Sequence, residues 1–355
     1  MKVIVIGAGV AGLSIGWRLQ QAGASVTVFD RAQPGHGATW ASAGMIAAAG
    51  EMGAAKSPLA EFARHSSALW PGFARDVEES SGQEVFYRRC GALILARSSV
   101  GTLDGWDGAE WLDIAQARVR EPLLATDVAG AIWAPDEARV DSRALGRALA
   151  LCFMRAGGRL VPNESVVRCT VQSGRVTSVI TPFANYDAEI FILAAGAWSG
   201  GMDGLPPDAV PPVKPVKGEM LALVPPDGTA LPKHIVWGND GYMVSRRDRL
   251  LIGATSEEKG FDTSVTVAAR ELLLSRARYA MPALAQWHLV EHWAGLRPGT
   301  PDDLPIVGQT SVAGLYAATG QYRNGILLAP AIAENISRVI LENGAGIAAF
   351  DPSRF

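Results

Sequence analysis

Hydrophobic and polar positions fall into clear blocks at the start of the chain. KVIVI (2–6) is a short β-branched run and GAGVAG (7–12) is a glycine turn. The segment to about Gln21 then places its apolar residues at helical spacing, and SVTVFD (25–30) is a second β-branched run. The pattern predicts strand, turn, helix, strand. After Asp30 it breaks: RAQPGHGATWASAGMIAAAGE (31–51) is small and glycine-rich and predicts a loop. Helical spacing returns over 58–78. VFYRRCGALILARS (85–98) and AIWAPDEARVD (131–141) predict strands, and VDSRALGRALALCFMRAGG (140–158) predicts a helix that starts at Asp141 or Ser142 and stops at glycine. Strand-like runs fill 159–199 and end on a glycine-bearing turn. Further strands lie between Lys214 and Arg297, with a helix near 266–280, and 315–344 reads as strand, glycine loop and long helix.

No repeat or low-complexity linker interrupts this order. Pieces of a nucleotide-binding unit alternate with strand-rich pieces, which predicts two interleaved domains. The expected division is 1–84, 141–207 and 293–355 for the first and 85–140 with 208–292 for the second.

Composition narrows the class. With 355 residues, 48% of them apolar and 19% charged, the chain can bury a sizeable core. A net charge of -3 without a basic run provides no footprint for nucleic acid or an anionic membrane. Cys90, Cys152 and Cys169 show neither a disulfide framework nor metal-ligand spacing. The opening MKVIVIGAGVAGL has no clear small-residue cleavage site, and no stretch reaches the roughly 18 apolar residues of a membrane span. A soluble, cytoplasmic protein is expected.

The candidate chemistry begins at the first turn. Gly7, Gly9 and Gly12 supply the G-x-G-x-x-G spacing: a tight turn, backbone approach to a pyrophosphate, and close helix–strand packing. Asp30 ends the second strand roughly 20 residues on, where a carboxylate accepts ribose hydroxyls. The alternative is a glycine turn without a ligand. A nicotinamide enzyme of this length would continue with more helix–strand pairs. This chain enters the loop Thr39-Trp40-Ala41-Ser42-Ala43-Gly44-Met45 instead, and a second glycine turn appears at Ala195-Gly196. One dinucleotide site without another favours FAD as the sole redox cofactor.

A lone arginine then stands out in GLRPGTPDDLPIVG (295–308), where Arg297 is expected in a turn of glycine, proline and threonine. Its guanidinium fork suits a substrate carboxylate. The blander reading pairs it with Asp302 or Asp303. Tyr242 is either a further donor or strand packing, and Arg323 either a pocket residue or a loop cap. His65, His234 and His292 are read as structural.

Together VIGAGVAG, WASAGM, FILAAGAWS, PVKGEM, GYMVSRRDRLLIGAT, HWAGLRPGTPDDLPIVG and GQYRNGILLAPA, in order over nearly the whole chain, resemble the D-amino-acid oxidase superfamily, most closely its glycine oxidase branch. The resemblance implies an α/β fold, with a Rossmann-type FAD-binding domain interleaved with a smaller antiparallel-sheet substrate domain. It implies substrate binding by Arg297, assisted by Tyr242, with Arg323 and Ser256 in the pocket. The expected FAD contacts are Gly7, Gly9, Val10, Ala11, Gly12, Asp30, Arg31, Thr39, Ala41, Ser42, Ala43, Gly44, Met45, Val166, Ala195, Gly196, Trp198, Arg297, Arg323, Asn324, Gly325, Ile326 and Leu327. No metal is expected.

The implied reaction is oxidative deamination of glycine or a small N-substituted glycine such as sarcosine or iminodiacetate. Hydride passes from the α-carbon to flavin N5, and the imine hydrolyses to glyoxylate plus ammonia or an amine. Oxygen is reduced to hydrogen peroxide, and no catalytic side-chain base is needed. The alternatives are a D-amino-acid oxidase, or a dehydrogenase using an acceptor other than oxygen. Keeping Arg297, Tyr242 and Arg323 argues against a non-catalytic subunit.

This chain departs from some relatives, with Ser256 in place of a pocket methionine and Asp240 in place of a histidine. Covalent attachment in relatives uses a late cysteine or an early-loop histidine. Here no cysteine follows Cys169, and Ala41 occupies the loop position, so non-covalent FAD is expected. Arg246 and Arg247 join Arg323 as candidate partners for a second substrate carboxylate, and a homo-oligomer is expected.

Overall fold

The β-branched runs at both ends of the chain assemble into one sheet. In a computed structural model describing residues 1–98, 103–106, 108–238 and 241–355, six strands lie in the order Ile306–Gln309, Leu315–Thr319, Ile190–Leu193, Lys2–Ile6, Ser25–Phe29, Arg159–Val161. All neighbours are parallel except the first pair. Parallel strands are buried on both faces, which accounts for their near-continuous Val, Ile and Leu. On one face pack the helices Val10–Gln21, Pro58–Ser81, Ser142–Arg155 and Gly325–Glu342. The other face is covered by the antiparallel strands Arg168–Gln172, Arg175–Ile180 and Asn185–Asp187.

A second sheet of eight strands runs His288–Gly299, Lys214–Val224, Arg249–Gly253, Gly241–Arg246, Ile235–Gly238, Ala92–Ala96, Gly130–Ala134, Glu110–Asp113. Its pairs are antiparallel except Ile235–Gly238 with Ala92–Ala96. The helix Val267–Ala280 covers one face. The other turns Met220, Trp237, Tyr242 and Trp293 toward the loop bearing Ala41 and Ala43. The two large sheets therefore take alternate stretches of the chain, as the interleaved pattern predicts.

Local signals set the element ends. Asp141 accepts from the N–H groups of Arg143 and Ala144, capping the next helix, and Ser57 followed by Pro58 starts another.

Three expectations need correction. The predicted strand 85–98 is two strands, Arg88–Arg89 and Ala92–Ala96, and 131–141 likewise divides into Gly130–Ala134 and Ala138–Arg139. The loop 31–51 contains the short helices Ala38–Ala41 and Ala48–Met52 and the strand Met45–Ile46. Arg297 is not in a turn. It lies in the strand His288–Gly299, opposite Val216, and an expected boundary at residue 293 falls within that strand. No helix among the described residues is long and apolar enough to cross a membrane.

Candidate active site

A cavity of about 1410 Å³ opens where the strand ends of the six-stranded sheet meet one face of the eight-stranded sheet. Of the expected FAD contacts, and of Arg297, Tyr242, Arg323 and Ser256, all but Gly12 line it. Asp240 lies outside the described residues.

Gly7 and Gly12 are confined by neighbouring backbone. Gly7 has φ +110°, and a Cβ there would come within 2.3 Å of the Ala194 carbonyl oxygen. A Cβ on Gly12 would lie 1.9 Å from the Gly7 carbonyl oxygen. Gly9 differs: its added Cβ would meet only the Thr39 hydroxyl, at 3.5 Å, so the missing side chain leaves room on the cavity side.

The helix Val10–Gln21 begins here. Thr39 Oγ1 accepts the Val10 N–H at 2.9 Å, so the small-residue loop caps the helix whose first turn faces the cavity. Asp30 accepts from the N–H groups of Ala8 (2.7 Å) and Ala32 (2.8 Å). Burial raises its pKa, and those two bonds oppose the rise. Arg31 lies over the Trp198 ring, 3.9 Å from its centroid, and Phe261 stacks on Trp198 at 5.4 Å.

At the other end, Arg297 Nη1 donates to the carbonyl oxygens of Thr255 (3.0 Å) and Lys217 (3.4 Å). No carboxylate among the described residues forms an ion pair with it, and Asp302 is instead paired with Arg354 at 2.8 Å. The fork is held by backbone carbonyls at the cavity wall. Gly218, in the strand beneath, makes room for it: a Cβ there would lie 2.4 Å from both terminal nitrogens. Gly253 does the same for Tyr242, whose hydroxyl oxygen would lie 2.4 Å from an added Cβ. Burial raises the Tyr242 pKa. Arg297 and Arg323 pull it down while Glu51 pushes it further up, and the phenol remains a donor. Its nearest partner is the soft Met220 sulfur at 3.8 Å.

Arg323 Nε lies 3.4 Å from Glu51 Oε2. The Ser256 hydroxyl is 3.3 Å from that of Tyr322, so it closes on a neighbour. Arg246 and Arg247 do not line the cavity. Arg246 packs toward Trp293, and Arg247 lies 3.6 Å from Asp141. Neither is placed for a second substrate carboxylate. His65 pairs with Glu334 (2.8 Å), His234 with the Cys90 carbonyl and His292 with Glu219 (2.8 Å), all outside the cavity lining.

The sequence reading missed Glu51, Met220, Trp237 and Tyr322, all on the cavity wall. Glu51 had a faint signal, being the one acid between Arg31 and Ala60 in a run of small residues. It also missed Glu137, a buried acid whose two oxygens accept the N–H groups of Ala49 (3.0 Å) and Gly50 (3.1 Å) and so pin the short helix that carries Glu51.

Burial raises the Glu137 pKa to about 7. The two N–H bonds lower it and Glu51 adds to the rise. The folded protein then holds a proton that the unfolded chain loses above its ordinary value of 4.5. This contribution to stability is complete below that value and disappears as pH rises through about 7. Relative to Glu137→Gln, the wild type is expected to lose on the order of 3 kcal/mol across this window. Urea unfolding of both proteins at a series of pH values checks it, and parallel stability curves contradict it.

The cavity also fits a flavin cofactor. Gln321 Nε2 and Asn324 Oδ1 are buried without a partner among the described residues, and both residues line the wall where the helix Gly325–Glu342 begins. An orphaned donor and acceptor beside free helix N–H groups suit a ring edge with hydrogen-bonding atoms. At the opposite end stand the glycine turn and Asp30. The family described as FAD dependent oxidoreductase matches residues 2–338.

The chain belongs to the FAD-dependent oxidoreductase family.

FAD is its cofactor, and the α/β architecture is that of glycine oxidase. The chain is 35% identical to a glycine oxidase of Geobacillus kaustophilus over 346 residues, covering 92% of this chain and 89% of the relative. A crystal structure of glycine oxidase from that organism superposes with a TM-score of 0.92 at 32% identity, covering 99% of this chain and 98% of the other. An iminodiacetate oxidase from Chelativorans sp. BNC1 superposes with a TM-score of 0.88 at 26% identity, covering 99% and 98%. A bifunctional protein ThiO/ThiG of Synechocystis sp. is 36% identical over 361 residues, covering 99% of this chain and 54% of the relative. The chain thus spans about half the length of such bifunctional relatives.

Proposed function

We propose that the protein oxidises glycine or a small N-substituted glycine through non-covalently held FAD, as an amine oxidase. The observation that carries this reading is the Arg297 guanidinium. It is held by two backbone carbonyls, unpaired with any described carboxylate, and faces a cavity that also receives Tyr242 and the cofactor-binding turn. The fork takes the substrate carboxylate through paired charge-assisted bonds, and the Tyr242 phenol donates another. Together they fix the α-carbon relative to the ring, and orientation supplies much of the rate. FAD, when bound, accepts the hydride from the α-carbon of the neutral amine. The imine then hydrolyses to an oxo acid and ammonia or an amine, and oxygen leaves as hydrogen peroxide. The names of the relatives support an amino-acid or amine substrate. The division into cofactor and substrate domains given by the sequence, and a homo-oligomeric state, belong to the same proposal.

Anaerobic bleaching of the flavin by glycine, sarcosine, iminodiacetate, D-alanine and D-proline, each added alone, tests it. Bleaching by glycine and sarcosine is expected, followed by oxygen consumption when air is admitted. Bleaching by the D-amino acids alone refutes the glycine assignment.

Gly218→Ala gives a second check. Its Cβ collides with the flexible end of Arg297 and not with backbone, so the fold survives while the clamp moves. A misplacement of about 1 Å is expected to lower kcat/KM by roughly 10²-fold. Flavin content and melting temperature should stay near wild type.

A further inference from the structure

The substrate end of the cavity carries an acid that the clamp does not use. Glu51 is delivered by the short helix Ala48–Met52, fixed from behind by the two bonds from Glu137. On the same helix, a Cβ on Gly50 would lie 2.8 Å from the Trp237 ring, so the helix has little room to shift. The Glu51 side chain is only 13% exposed, and its carboxylate meets Arg323 at 3.4 Å. It also lies within electrostatic reach of Arg297 and Tyr242. Where they meet, Arg297, Arg323 and Glu51 together carry one net positive charge. That balance suits one substrate carboxylate. A second carboxylate, on the amine's other arm, would approach an arginine already paired and an acid of its own sign.

Resting on the amine-oxidase reading above, we propose that Glu51 determines substrate specificity by charge, admitting monocarboxylic amines of the glycine and sarcosine type and refusing N-carboxymethyl dianions such as iminodiacetate. Arg323 is thereby a counter-ion for Glu51 and not a second carboxylate site. Removing the acid's charge frees Arg323 and turns the pocket toward dianions.

The test uses ligands that contain no oxidisable amine. Methoxyacetate matches sarcosine and diglycolate matches iminodiacetate, each with an ether oxygen in place of the nitrogen. Both are titrated into the FAD-loaded protein and read through the perturbed flavin absorbance. The wild type is expected to bind methoxyacetate at least tenfold more tightly than diglycolate. Glu51→Gln, nearly isosteric, is expected to reduce that ratio at least fivefold, chiefly by tightening diglycolate. Glu51→Asp keeps the charge and should hold the ratio within threefold of wild type, which a purely structural role for Glu51 does not predict.

A wild-type preference for diglycolate, a change below fivefold in Glu51→Gln, or no response to either ligand overturns the proposal. Since neither ligand is oxidised, the ratio is measured independently of turnover. The predicted ratios in a protein that no amine bleaches would support the role of Glu51 and defeat the oxidase reading alone.

Discussion

Gly12→Ala is expected to yield protein that is purified largely without flavin. The new Cβ would stand 1.9 Å from the Gly7 carbonyl oxygen, 3.1 Å from its carbon and 3.2 Å from a Val5 methyl. Two of these are backbone atoms of the turn, which has no flexible end to yield, and Gly7 is itself confined by the Ala194 carbonyl. Either the helix lifts from the strand Lys2–Ile6 or the turn opens, and both disturb the first-turn N–H groups. Overpacking of this kind costs about 1–3 kcal/mol, and weakening of FAD by roughly 10²-fold follows if that cost falls on the bound form. Gly9→Ala is the control. Its Cβ meets only Thr39 Oγ1 at 3.5 Å, so the apoprotein should melt near wild type while FAD binding weakens, because the methyl occupies space on the ligand's side. Melting of the apoproteins and FAD titration separate the two variants. Equal apoprotein stability in Gly12→Ala and wild type would contradict the packing argument.

That turn was legible because everything it needs is local. Strand, glycines, helix and Asp30 follow within one short stretch, and each glycine has a steric reason the spacing already implies. The stretch 39–45 was legible only in part: its small residues line the cavity, but the short helix Ala38–Ala41 and the strand Met45–Ile46 carry no periodic signal at that length.

Arg297 was expected in the wrong element. Pro298 and Gly299 read as a turn, yet pairing with Lys214–Val224 continues to Gly299. A proline is tolerated there because His288–Gly299 is an edge strand, with one side free of ladder bonds. The same oversight hid the purpose of Gly218, which is defined only by the neighbouring strand that brings Arg297 above it. Glu51 and Glu137 were harder still. They approach one another through a helix of five residues and a contact between positions far apart in the chain, and no periodicity records such a contact.

The largest loss of activity is expected from Arg297→Ala. Its fork can bind a carboxylate bidentately and is paired with no carboxylate among the described residues, whereas Arg323 is already opposite Glu51. Charge-assisted hydrogen bonds contribute about 1.5–3 kcal/mol each. Loss of two should lower kcat/KM for the best amine by roughly 10²- to 10⁴-fold. Flavin should remain bound, because the glycine turn, Asp30 and the helix start at Gly325 are untouched. Arg297→Lys keeps the charge but has no planar fork, and the backbone carbonyls of Thr255 and Lys217 would compete with the substrate for its single ammonium. It should recover about a tenfold share of the loss and no more. Stopped-flow reduction of the flavin separates binding from the chemical step. A decrease of less than tenfold in Arg297→Ala, with a larger one in Arg323→Ala, would move the substrate carboxylate to Arg323. Glu51 would then be displaced by every substrate rather than excluding some, so the clamp and the charge filter are tested by the same pair of variants.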